Sequence, residues 1–182
     1  MTRRTEDLVG DDTVVDRTGR PRQEWFALLD GAGATGWDHK RIAAWLVEEH
    51  DVDGWWAQGL TVGYEQARGM REPGQRPDGT FEASASKTVG RSVDDLFPHL
   101  ADTDLRQAWL TGPWQQTGVT AGKTVRLAGD DGTRVLLSVT AAREGRVRVT
   151  ATHSRLPDAD ARDRAKTFWR DAVGKLATLL SR

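Results

Sequence analysis

Few residues of this chain could carry out acid–base or nucleophilic chemistry. The chain has four histidines and no cysteine. The lack of cysteine excludes thiolate nucleophiles, disulfides and cysteine-bound metal centres. None of His39, His50, His99 and His153 lies in a catalytic motif, and no nucleophile elbow, phosphate-binding loop or dinucleotide fingerprint is present. The residues therefore predict no catalytic set and no cofactor.

Among the four histidines, His153 is the best candidate for a functional residue. It falls on the apolar side of a predicted strand, where it is the one titratable group. Inside a pocket its imidazole could hydrogen-bond a ligand or exchange a proton near neutral pH. At a strand end it could instead be exposed or bonded to backbone, and the sequence favours this second interpretation.

A cluster of potential metal ligands lies in an acidic turn. The cluster consists of Glu48, Glu49, His50, Asp51 and Asp53. Neighbouring side chains at a helix end point in different directions, and no second histidine follows at three or four residues. We therefore predict a solvated turn and no metal site.

The residues around this turn predict a small helical module over 20–70. Helices are expected to begin at Pro21, near Thr35 or Asp38, and at Asp53, since these residue types favour a first turn or an N-cap. Five of the eight tryptophans fall in this module. Large indoles help so short a chain to bury a core.

The helix–turn–helix rhythm of this module raises the hypothesis of DNA binding. The helix that would read bases, over 54–69, carries Arg68 as its only basic residue. Recognition of bases beside phosphates normally needs several lysines or arginines. A packing or oligomerisation bundle is the favoured interpretation.

The second module, 81–182, has the pattern of a sheet and a long helix. Alternation predicts a strand over 81–89, and turn signals predict an antiparallel meander of three strands over 123–155, with a further edge strand over 114–120. Between them, short helices are expected from Ser92 to near Pro98 and from Asp102 or Thr103. A final amphipathic helix runs from Pro157 or Asp158 to about Leu180, and its apolar stripe must cover the sheet. The fold class is therefore α+β.

Composition sets the boundaries between these parts. Residues 1–80 carry 10 basic and 15 acidic side chains, and residues 81–182 carry 16 and 12, which gives net charges of −5 and +4. We predict a disordered tail over 1–19, the helical module over 20–70, a Pro- and Gly-rich linker over 71–80, and the second module to the end.

The sequence shows no apolar run long enough for a membrane span and no signal core, so a cytoplasmic protein is expected. The near-neutral charge argues against a general nucleic-acid binder.

Short motifs in both modules resemble known families. F-x-A-S-A-S-K-T-V, S-V-D-D-L-F, D-G-T-R-V, H-S-R-L and K-T-F-W-R are similar to the START-like, polyketide-cyclase-type (SRPBCC) superfamily, and most similar to its AHSA-like branch. The Trp-rich stretch over 36–69 resembles a small helical bacterial domain of unknown function. The superfamily resemblance implies a helix-grip fold, in which a curved antiparallel sheet wraps a long helix around a cavity. It also implies binding of lipids, polyketides or other apolar molecules, with cyclisation or dehydration in a minority of members.

The expected pocket walls come from the apolar strand faces and the last helix. Those walls would be Val125, Leu127, Leu137, Val149, Trp169 and Val173, with His153 among them and Trp109 or Trp114 near the mouth. Such walls describe a ligand pocket, and they equally describe an ordinary core. About 100 residues is short for a helix-grip domain, and lost strands would shrink or open a cavity.

The leading functional hypothesis is a non-enzymatic protein that binds an apolar small molecule or a protein partner through the second module. A cyclase or dehydratase using His153, and a regulator whose helical module contacts DNA, are the alternatives. Exposed indoles would favour a homodimer. The basic residues Arg162, Arg164, Lys166 and Arg170 of the last helix are expected to form a solvated face or to dock the acidic first module.

Overall fold

The computed structural model describes residues 9–181. The chain divides into two compact units, with the break between Gly79 and Thr80. The described part of the first unit, residues 9–79, contains four α-helices and a 3-10 turn: α1 (Asp11–Thr18), α2 (Arg22–Gly31), the turn Ala34–Gly36, α3 (His39–Glu48) and α4 (Gly54–Ala67).

Helix α1 departs from the expected disordered tail over 1–19. Residues Asp11–Thr18 are helical, and Val14 is buried in the core of the first unit. Thr18 accepts a hydrogen bond from the Trp25 indole at 2.8 Å, and Arg22 pairs with Asp11 at 3.0 Å. These contacts come from the tertiary structure, so the polar local sequence did not indicate a helix. The part of the predicted tail over 1–8 lies outside the described residues.

The other three helices of the first unit begin where their capping residues predict. Asp38 accepts from the Arg41 backbone N–H at 2.8 Å, and Asp53 accepts from that of Trp55 at 3.0 Å. Capping of this kind satisfies N–H groups that have no partner inside the helix. The largest side chains of the resulting core are Trp25, Phe26, Leu29, Ile42, Leu46, Leu60 and Tyr64.

The described part of the second unit, residues 80–181, holds five strands and four α-helices. In chain order they are β1 (Phe81–Val89), α5 (Val93–Leu96), α6 (Pro98–Ala101), α7 (Thr103–Gln107), β2 (Gln115–Thr120), β3 (Thr124–Ala128), β4 (Arg134–Ala141), β5 (Val147–Leu156) and α8 (Ala159–Leu180). Pro98 begins α6 and does not simply end the preceding helix. This is compatible with proline, because a first-turn N–H needs no helical partner.

All strand pairs of the sheet are antiparallel. The strand order is β1-β5-β4-β3-β2, so β3, β4 and β5 form the predicted meander and β2 lies at an edge. Burial alternates along β5, with Val147, Val149, Ala151 and His153 on the inner face. His153 thus lies between Ala83 of β1 and Val135 of β4.

Helix α8 packs its apolar stripe on the inner face of the sheet, chiefly against β1 and β5. Trp169 and Leu176 are 0% exposed. The buried stripe of α8 consists of Ala165, Trp169, Ala172, Val173, Leu176 and Leu180. The arrangement confirms the predicted α+β class and its helix-grip architecture. Among the described residues, no helix is both long and apolar enough to cross a membrane.

Candidate functional site

His153 is held on the inner face of the sheet by an indole of the last helix. The Trp169 Nε1–H donates to His153 Nδ1 over 3.0 Å, in a buried position. An imidazole that accepts at Nδ1 carries its proton at Nε2 when it is neutral. The Nε2 atom is buried and has no hydrogen-bond partner within residues 9–181. The predicted interpretation as an exposed or backbone-bonded histidine is therefore wrong, since its partner is a side chain.

Burial controls the charge of this histidine. Desolvation lowers the pKa of His153, and the nearby Asp131 carboxylate partly opposes that shift. Asp131 itself accepts from the Thr133 hydroxyl at 2.6 Å and the Thr133 backbone N–H at 3.0 Å. Those bonds lower the pKa of Asp131 and fix its carboxylate in the β3–β4 turn. At neutral pH the pair is a neutral imidazole near a fixed carboxylate.

Trp114 packs edge to face against this histidine. Its ring lies 5.4 Å from that of His153 and 5.4 Å from that of Trp169, measured between centroids. Trp114 is half-buried, whereas the other two side chains are buried. The structure thus brings Trp114, His153 and Trp169 together, with no nucleophile–base pair recorded among them.

The remaining predicted wall residues pack as a core. Trp109 and Val173 are each 2% exposed, and Leu127, Leu137 and Val149 are 0% exposed. Val125 is likewise buried in the same cluster. The Trp109 indole donates to the backbone carbonyl of His99 at 2.9 Å, among the short helices. A side chain facing a void that admits water would keep some accessible surface, so these residues have the contacts of a filled interior.

An open groove occupies another part of the second unit. It has a volume of about 1180 Å³ and lies between the end of β1, from Lys87 to Arg91, and the outer side of α8. Its charged lining residues are Lys87, Arg91, Arg170, Asp171 and Lys175. Since four of these five are basic, we call this groove the basic groove.

Arg91, which lines the basic groove, is held at the C-terminal end of α8. Its Nε–H donates to the backbone carbonyl of Leu180, in the last turn of α8, at 2.6 Å. A cation at a helix C-terminus satisfies carbonyls that have no helical partner and opposes the negative end of the helix dipole. Arg170 pairs with its neighbour Asp171 at 3.4 Å, and both of these side chains are exposed.

Sequence reasoning missed the basic groove. Of the four α8 residues expected to form a basic face, only Arg170 lines it. The other cations come from β1, from the turn after it and from Lys175. The packing of β1 against α8 brings these distant stretches together. Periodicity within one helix gave no signal of this juxtaposition.

The first unit contains a polar network that the sequence also did not indicate. The carboxylate of Glu65 is buried; it lies 2.9 Å from His39 Nδ1 and accepts from Arg71 Nη1 at 3.0 Å. Arg71 also donates from Nε to the Gln75 carbonyl at 2.7 Å. The network thereby ties the segment after α4 to the helices. In the part of the chain from 9 to 181, no group of three or more His, Asp and Glu side chains could hold a metal ion.

The architecture defines the second unit as a helix-grip domain, and comparison with known proteins adds a family match for the first. Residues 12–64 match a family model described as "Domain of unknown function (DUF4287)". This confirms the predicted resemblance of the Trp-rich stretch to a small helical domain of unknown function. No curated protein matches the chain.

Several solved structures of AHSA1-like proteins are similar to the chain, as the resemblance of the second module implied. The solution structure of the Aha1 dimer from Colwellia psychrerythraea is 17% identical over 53% of this chain and 92% of that chain, with a TM-score of 0.46. The AHSA1 protein from Silicibacter pomeroyi is 17% identical over 55% of this chain and 97% of that chain, with a TM-score of 0.45. A conserved protein of unknown function from Enterococcus faecalis is 12% identical over 64% of this chain and 81% of that chain, with a TM-score of 0.49. The helix-grip fold is seen directly in the sheet and last helix of this chain, independently of these similar structures.

Proposed function

We propose that this chain is a non-enzymatic binding protein whose second unit binds an acidic segment of a protein partner in the basic groove. The observation that carries the proposal is the convergence of Lys87, Arg91, Arg170 and Lys175 on one concave surface. Complementary charge steers an acidic partner toward such a surface and disfavours basic ones.

The size and lining of the basic groove favour a polypeptide over a small molecule. Its volume of about 1180 Å³ exceeds the range of roughly 300–1,000 Å³ that is usual for small-molecule pockets. Half-buried aliphatic side chains also line it, among them Ala177 and Leu179. An acidic segment with interspersed leucines would use both the charged and the aliphatic parts of this lining.

Fluorescence anisotropy with a labelled peptide of alternating glutamate and leucine tests the proposal. The variant Lys87→Glu/Lys175→Glu should weaken binding roughly tenfold, because two exposed attractive pairs become repulsive ones. Binding to the wild-type protein should also weaken as salt is added.

A matched control uses the opposite face of the same sheet. Arg126→Glu/Arg134→Glu changes the net charge equally, and both residues are exposed on β3 and β4, which do not pair with β1. This control should bind the peptide within about twofold of wild type. Equal weakening by the two double variants would show a general charge effect and would overturn the proposal.

A second candidate function, binding of an apolar small molecule, is favoured by one specific observation. The buried Nε2 of His153 has no partner in the described chain, although buried polar groups are almost always hydrogen-bonded. An apolar ligand with one acceptor oxygen would satisfy that N–H if Trp114 moved aside. Native mass spectrometry of protein purified from its own host should then detect a small molecule that His153→Phe protein lacks. Identical masses in both preparations would remove this candidate.

A further inference from the structure

A second concave surface, in the first unit, combines aromatic rings with carboxylates. It has a volume of about 390 Å³ and is lined by Ala32, Trp37, Arg41, Ala44, Trp45, Glu48 and Glu49. The two indoles pack edge to face, with 6.0 Å between ring centroids and an interplanar angle of 65°. We call this surface the indole pocket.

The indole faces of this pocket attract positive charge. The guanidinium carbon of Arg41 lies 4.3 Å from the centroid of the Trp37 ring. This is a cation–π contact, in which the negative face of the indole attracts the cation. Arg41 therefore shows, within the chain itself, that the Trp37 ring accommodates a planar cation.

The rim of the indole pocket carries negative charge that is not neutralised. Glu48 and Glu49 are exposed, and neither carboxylate has an ion pair or side-chain hydrogen bond to another described residue. They follow Trp45 in sequence at the end of α3, so the carboxylates and the indole lie together at this end of the pocket. The charge of Arg41 offsets only one of these two carboxylates.

We propose that the indole pocket binds an organic cation of the quaternary-ammonium class. Such a cation is weakly hydrated and spreads its charge over methyl groups, so the accessible faces of the two half-buried indoles attract it without a large desolvation penalty. The two carboxylates at the rim supply the countercharge. A volume of about 390 Å³ falls within the usual range for small-molecule sites, roughly 300–1,000 Å³. Arg41 competes with the ligand for the Trp37 ring.

Choline is the probe for this proposal, and dimethylbutanol, in which a carbon atom replaces the nitrogen, is its uncharged counterpart. The readout is the indole N–H signals of Trp37 and Trp45 in nitrogen–proton correlation spectra of the full chain. Choline should shift both signals saturably, and dimethylbutanol at equal concentration should not.

Three variants measure how much individual charges contribute to choline binding. Glu48→Gln/Glu49→Gln should weaken choline binding about fivefold, since two exposed charge–charge attractions are lost. Arg41→Gln should strengthen it about threefold, because the competing cation is removed. The matched control Asp16→Asn/Glu24→Gln removes two exposed acidic charges elsewhere in the first unit and should leave binding unchanged.

Two results would overturn the proposal. Equal shifts with choline and dimethylbutanol would identify an ordinary apolar surface with no preference for charge. The absence of a saturable shift in Arg41→Gln protein would show that the indoles bind no external cation even when Arg41 is removed.

Discussion

Replacing Trp169 with phenylalanine should destabilise the second unit in a pH-dependent way. The substitution removes the indole N–H that donates to His153 Nδ1 at 3.0 Å. A buried acceptor left without a donor costs about 1–3 kcal/mol. The smaller ring also buries less apolar surface, which costs about 1 kcal/mol at roughly 25 cal/mol per Å². The free energy of unfolding should therefore fall by about 2–4 kcal/mol near neutral pH.

The pH dependence follows from the charge state of His153. Burial lowers the pKa of His153 in the folded protein. As the pH falls through the unfolded value of about 6.5, the unfolded chain takes up the proton first, so this group's stabilising contribution is lost. Protonation of His153 in the folded protein would also place a proton on Nδ1. Two hydrogen-bond donors, Nδ1–H and the Trp169 N–H, would then face each other. Trp169→Phe removes that conflict, so the destabilisation it causes should become smaller in acid.

Urea unfolding followed by circular dichroism, at about pH 7.5 and about pH 5.5, measures both effects. Val173→Ala is the control, because Val173 is 2% exposed on the same helix and an aliphatic side chain forms no hydrogen bond with His153. Its destabilisation should not change with pH. Equal destabilisation by Trp169→Phe at the two pH values, or the same pH dependence in the control, would refute this explanation.

Two glycines of α4 should respond differently to alanine. Gly59→Ala should raise the free energy of unfolding by about 0.5–1 kcal/mol, because alanine favours a helix interior and an added Cβ would meet no atom within 4 Å. Gly63→Ala should stabilise less than Gly59→Ala or should destabilise, since its Cβ would lie 3.3 Å from the Phe26 ring. Thermal unfolding of the two single variants compares them directly, and a larger gain at Gly63 would contradict this account of the packing.

Local signals allowed much of the fold to be predicted from the sequence. Asp38, Asp53 and Asp158 cap helices because their side chains accept backbone N–H bonds within three residues. The buried stripe of α8 repeats at helical spacing, and Gly132, with a φ of +84°, sits in a turn that only glycine adopts readily. Each of these features is decided within a few residues of sequence.

The features that sequence reasoning missed depend on contacts between distant residues. Helix α1 depends on burial of Val14 and on a hydrogen bond from Trp25 to Thr18. The orientation of His153 depends on Trp169, which lies 16 residues further along the chain. The basic groove and the indole pocket each require the packed structure. The sequence predicted that His153 faces the apolar side, but periodicity contains no information about its partner.

The irregular strand β2 has a consequence for solubility. It lies at one edge of the sheet, and β3 is its only strand partner among residues 9–181. The pairing register of β2 with β3 shifts between Gln116 and Gly118. A straight unpaired edge offers a row of backbone donors and acceptors that a strand from another molecule can extend. The register shift bends this row, so its backbone donors and acceptors do not align with those of a straight strand from another molecule. The bulge in β2 therefore disfavours pairing with a strand of another molecule at this edge of the sheet.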